Sequence, residues 1–111
     1  MMANKVYVYR AEDYTLELVD IALKRMLTES GFLEKLKPGM TAFLKLNLLM
    51  GKRPEAAVTT HPVLVRSLVQ ILQGHGLTVV VGDSPGGPLN LPYLRTVYRA
   101  CGITAALEGT K

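Results

Sequence analysis

The sequence has one cysteine, no tryptophan and two histidines among 111 residues. A lone cysteine excludes a disulfide framework and any all-cysteine zinc or iron–sulfur site built by this chain alone. Aromatic residues make up only 6%, and Lys and Arg are scattered with no run of five. Neither a stacking platform nor a basic tract is present, so the net charge of +4 reads as solvated surface charge and no nucleic-acid partner is expected. No stretch reaches the roughly 20 uninterrupted apolar residues of a membrane span. The opening Met1-Met2-Ala3-Asn4-Lys5 runs straight into Val6-Tyr7-Val8-Tyr9, without the charged region, apolar core and cleavage site of a secretion signal. With Cys101 unpaired, the expected location is the cytoplasm.

What is present is an ordinary globular composition, 49% hydrophobic and 20% charged, in a length that fits one domain over residues 1–111. Strand and helix patterns alternate. A Val- and Tyr-rich strand is expected over Lys5–Arg10. A helix follows over about Asp13–Ser30, with Leu16, Val19, Leu23, Met26 and Leu27 on one face. After the turn Lys37-Pro38-Gly39 comes a second strand, Thr41–Leu49. A second helix starts near His61-Pro62 and stops at Gly74, with proline well placed in its first turn. Leu77–Val81 reads as a strand covered on both faces. A third helix runs from about Asn90 to Gly102, and Ile103–Leu107 reads as a fourth strand. Strands separated by helices imply parallel pairing with right-handed crossovers. The expected fold is therefore α/β, a three-layer αβα (Rossmann-like) arrangement around a small, mainly parallel sheet of three to four strands. So small a sheet leaves an open edge, which points to a piece of a larger domain or to a homodimer.

Ligands of open parallel sheets bind beyond the carboxyl ends of the strands. That rule gathers three segments: Lys45-Leu46-Asn47-Leu48-Leu49, Thr59-Thr60-His61-Pro62, and Gly82-Asp83-Ser84-Pro85-Gly86-Gly87. His75 lies in the turn before the third strand, at the opposite edge. Gly82-Asp83-Ser84-Pro85-Gly86 has the spacing of a hydrolase elbow, but Pro85 lacks the backbone N–H that the oxyanion hole requires. Gly51-Lys52 is followed by Arg53 where a phosphate loop needs Ser or Thr, and the first strand-to-helix turn, Arg10-Ala11-Glu12-Asp13, has no dinucleotide glycines.

Each remaining residue has a functional reading beside a plain structural one. Asp83 serves as a base or hard-cation ligand, or it caps its loop. Gly86 and Gly87 form an anion-holding nest or a tight turn. Thr59 and Thr60 add hydroxyl donors for an anion at the helix start, or they cap the helix. His61 is a ligand or general base, or merely begins the helix. Lys45 and Asn47 share one face of their strand, opposite Ala42, Leu44, Leu46 and Leu48; the lysine needs a partner or a path to solvent. Cys101 reads as a small core residue.

Taken in this order, the three segments resemble the N-terminal part of the domain-of-unknown-function family 362, from the first strand to Gly102. The family's usual K-P-N-L-L appears with Leu46 in place of proline. The residues that match its motifs are Lys45, Asn47, Thr59, Thr60, His61, Asp83, Ser84, Gly86 and Gly87. The resemblance implies a longer protein, often iron–sulfur-associated, with [4Fe–4S] motifs in a portion absent from this chain, and no cofactor held by the residues here. The leading expectation is a small-ligand- or metal-binding α/β domain of a redox-linked protein. An anionic group would rest on the second helix, Lys45, Asn47, Ser84 and the Gly86-Gly87 loop, with Asp83 and His61 supplying acid–base or metal-ligand chemistry. The competing expectation is a non-catalytic assembly module that pairs through its open sheet edge.

Overall fold

The computed structural model describes residues 4–111; the first three residues of the stretch read as lacking a secretion signal lie outside it. Asp13 accepts the backbone N–H of Thr15 at 2.7 Å, holding Thr15 extended, so helix α1 begins only at Leu16 and runs over Leu16–Glu29. Strand β1 (Thr41–Lys45), helix α2 (Pro62–Gly74) and strand β2 (Thr78–Gly82) follow. Helix α3 (Leu91–Ala100) is capped by Asn90, whose side chain accepts the N–H of Tyr93 at 2.9 Å. A last short helix, α4, spans Ile103–Ala106.

The strands pair in parallel, in register from Thr41 opposite Thr78 to Lys45 opposite Gly82. The mixed α/β, parallel character expected from the sequence is present, but the sheet has two strands among the described residues rather than three or four. The core gathers Leu46, Leu48, Val65, Val69, Val97, Cys101 and Ile103, with Leu44, Val79 and Val81 packed against it. All of this lies on one face of the sheet. On the other face Phe43 is 60% and Val80 45% exposed, so among the described residues the expected third layer is not seen.

Two of the expected strands do not form. Lys5–Arg10 is irregular, with Val6 and Val8 86% and 85% exposed. It is drawn to α1 instead: the Tyr9 hydroxyl bonds the Glu29 carboxylate, and the Arg25 guanidinium sits 5.1 Å over the Tyr9 ring. Ile103–Leu107 was expected to extend, but Gly102 takes the left-handed conformation at φ +81° and turns the chain into α4. Arg66 then donates to the Ala106 carbonyl (2.6 Å), which an α-helix leaves unpaired at its end, and to the Glu108 carbonyl just beyond it (3.1 Å). That tertiary contact overrides the weak strand preference of Ile and Thr.

Helices α1 and α2 lie side by side. The fully buried Ser67 of α2 donates to Asp20 of α1 at 2.9 Å, a polar link in an otherwise apolar seam. No helix among the described residues is long and apolar enough to cross a membrane.

Candidate functional site

The sequence placed three segments at the carboxyl edge of the sheet, and the structure ties them to one another. Beyond β1 the chain stays extended, and Leu46 donates its N–H to the carbonyl of Gly82 at 3.0 Å. One step further, a side chain takes over from the backbone. Asp83 Oδ2 accepts the N–H of Leu48 at 2.8 Å, and its Oδ1 bonds the Lys45 ammonium. Lys45 also donates to the Leu46 carbonyl at 3.0 Å. The Asp83 side chain is only 6% exposed while that of Lys45 is 61% exposed. Burial pushes the Asp83 carboxyl up, but the bonds from Lys45 and from the N–H groups of Leu48 and Ser84 outweigh it and hold the carboxyl below its ordinary value. The Asp83 N–H donates in turn to the Tyr98 hydroxyl at 3.1 Å.

The start of α2 is clipped to the same edge. Thr60 Oγ1 accepts the N–H of Asn47 at 3.0 Å, and the Thr60 N–H donates to the Asn47 carbonyl at 2.9 Å. Because Thr60 is used in this way, it does not cap the helix. Neither does Thr59. The cap is His61, whose Nδ1 accepts the N–H of Val63 at 3.2 Å. Its ring stacks on Tyr14 with centroids 3.7 Å apart and planes 4° from parallel. Burial lowers the His61 pKa, only partly opposed by Glu55. A neutral imidazole that accepts at Nδ1 carries its proton on Nε2. The cap engages Nδ1, which leaves Nε2 as the ring position open to another partner. Beside it, Thr59 Oγ1 is shut off from solvent and has no hydrogen-bond partner among the described residues.

The glycine loop completes the edge. Gly86 donates its N–H to the Leu49 carbonyl at 2.8 Å, and the Tyr93 hydroxyl donates to the Gly86 carbonyl at 2.8 Å. Gly87 sits at φ +110°, where a Cβ would be strained and would lie 2.6 Å from the Tyr93 hydroxyl oxygen, displacing that side chain. Ser84 is exposed and Pro85 buried.

Lys45 and Asp83 are thus brought into contact, as are Asn47 and Thr60. Ser84 reaches that ion pair through its backbone N–H alone, while Thr59, His61, Gly86 and Gly87 stand on the same edge without a hydrogen bond to it. Sequence reasoning missed Tyr98 and Tyr14. Tyr98 and Tyr14 fall within expected helices and carried no functional signal of their own. His75 does lie at the other end of the sheet, where its Nε2 is 2.9 Å from the Leu36 carbonyl. Cys101 is buried in the core and its thiol faces the Met50 carbonyl at 3.5 Å. Among the described residues, no three of His, Cys, Asp and Glu converge as metal ligands.

The family described as "Domain of unknown function (DUF362)" matches residues 43–111. The match begins inside β1, later than the resemblance in the sequence implied, and takes in all three edge segments. A curated relative, the "Thylakoid-associated protein sll1697" of Synechocystis sp., is 33% identical over 85 residues, which is 76% of this chain and 26% of the relative. The chain therefore spans about a quarter of the length of the curated relative it matches. No solved structure matches it.

Proposed function

The chain belongs to the DUF362 family, and on that premise we propose that it forms the small-ligand-binding α/β portion of a longer, iron–sulfur-associated and redox-linked protein. The ligand is a small molecule with an anionic group. The observation that supports this most is Thr59 Oγ1, buried and unpartnered, next to a neutral His61 that presents an N–H at the start of α2. A buried hydroxyl without a partner costs about 1–3 kcal/mol, which an incoming acceptor would recover. The positive end of the helix favours that acceptor being an anion. Asn47 and Ser84, both exposed on the same edge, complete the donor set, and the Gly86-Gly87 turn admits the ligand close to backbone. Asp83 and Lys45 hold the edge in shape. Acid–base work by Asp83 would first require Lys45 to leave, so binding ranks ahead of catalysis, and an anion ranks ahead of a metal ion.

In this reading the [4Fe–4S] motifs lie outside these residues, and the complete sheet has three to four strands in Rossmann-like αβα layers. The whole protein works in the cytoplasm; the relative's printed association with thylakoids is the competing location. NMR titration of the chain with inorganic phosphate tests the site. Saturable shifts at Asn47, Thr59, Thr60 and His61 are expected, with T59V and H61F each weakening binding about tenfold while leaving the fold intact. Shifts that stay linear and spread over all surface lysines and arginines would refute it.

The second reading is an assembly module, favoured by the exposure of Phe43 and Val80 on the bare sheet face. Light scattering decides it: a stable dimer at micromolar concentration supports assembly, and a monomer removes it.

A further inference from the structure

The outer edge of β1 is open, and its hydrogen-bonding pattern is defined. Thr78 donates to the Met40 carbonyl and Leu46 to the Gly82 carbonyl. In a parallel ladder alternate residues face one neighbour. The even-numbered residues of β1 therefore serve β2, while the N–H and C=O groups of Thr41, Phe43 and Lys45 point to the unpaired side. Along that side runs an apolar groove of about 450 Å³, walled by Leu27, Leu36, Ala42, Leu44, Leu68 and Leu72.

We infer that this edge takes a third parallel strand, and that the strand is the chain's own Lys5–Arg10. The inference deepens the wider-sheet reading above by naming the strand and its edge. Three independent features support it. The segment has the alternating Val/Tyr pattern of a strand, yet leaves Val6 and Val8 almost wholly in water, apolar surface that docking would bury. Helix α1, the connection from this segment to β1, lies beside α2, the connection from β1 to β2. Right-handed crossovers put two such helices on one face only when the chain steps across the sheet in one direction. That fixes the order as Lys5–Arg10, β1, β2, and excludes the far edge of β2. Finally, the groove already has its lid in α1 and its floor in α2, so docking needs only a strand that presents alternate apolar side chains. Docking exchanges the Tyr9 contacts with Arg25 and Glu29 for the ladder.

The test is residue-resolved amide exchange on the intact chain. Alternate amides within residues 5–10, together with those of Phe43 and Lys45, are expected to exchange at least about 100-fold slower than unstructured ones. The double substitution V6D/V8D should abolish that protection at residues 5–10, Phe43 and Lys45, while Ala42, Leu44 and Leu46, bonded to β2, stay protected. Free exchange of residues 5–10 and Phe43 in the native chain overturns the inference. So does protection that grows with protein concentration, because the strand then comes from a second copy. Protection of Phe43 that survives V6D/V8D in a longer chain also overturns it, while leaving the wider sheet standing.

Discussion

Replacing Asp83 with alanine tests whether one carboxylate holds the carboxyl edge together. Its side chain does two jobs of unequal value. It accepts the N–H of Leu48, a residue with no exposed surface, and a bond from a buried N–H to a charged acceptor contributes about 1.5–3 kcal/mol. It also pairs with Lys45, whose head is mostly in water, so that contact is worth about 0–1 kcal/mol. D83A should therefore lower stability by about 2–3 kcal/mol, or roughly 10 °C in Tm for a domain of this size. D83N keeps an acceptor for Leu48 and should lose about half as much, while K45M should lose less than about 1 kcal/mol. Urea denaturation at several pH values is the assay. Because the folded-state pKa of Asp83 is depressed, its contribution is complete above the ordinary carboxylate range near pH 4. It is lost as pH falls through the lower folded-state value, so the gap between wild type and D83A should close in acid. If K45M costs as much as D83A, or if D83A costs under about 0.5 kcal/mol, the carboxylate is not the backbone's partner and the reasoning fails.

Other outcomes follow from the same geometry. His61 is held neutral by burial, so unfolding takes up a proton; stability should fall as pH drops below about 6.5, and H61N, which retains a cap, should flatten that slope in a pH series of melts. G87A places a Cβ against Tyr93 at a positive φ and should cost about 2 kcal/mol or more in denaturant titrations, whereas G74A, with open space around it, should not destabilise. S67A removes the buried link to Asp20 and should cost about 1–2 kcal/mol, read by the same titration. Cys101 should react with a thiol reagent only at the rate of global opening, and labelling that is fast in native buffer would contradict its burial.

Much of this could be read from residue order alone. Helix α2 begins at Pro62 and ends at Gly74 because proline and glycine act locally. Asn90 announces α3 for the same reason. The alternation of Lys45 and Asn47 against Leu46 and Leu48 separates exposed from buried positions as a strand must. Legibility stopped where a residue's partner is distant. Asp83 meets the N–H of Leu48 across 35 positions, and nothing in Gly82-Asp83-Ser84 names that backbone group. Thr59 and Thr60 have better capping chemistry than His61, but Thr60 is held by Asn47 from another element. Ile103–Leu107 has strand-forming residues and becomes helix through Arg66, some 40 positions away. Lys5–Arg10 has a strand's pattern, but a pattern makes a strand only beside a neighbour.

The Asp83 carboxylate has one more consequence. Where most parallel strands diverge once their peptide groups cease to meet, here a side chain serves as one further rung. That rung alone among those joining β1 and β2 can be switched off by a proton or drawn away by a passing cation. Its release would free Leu48, then the Leu49 carbonyl that anchors Gly86, and with it the loop leading to α3. Order at the rim of the sheet and occupancy of the rim are therefore thermodynamically linked through a single acidic group. An agent that captures the group would soften the rim, and a ligand that leaves it in place would stiffen it.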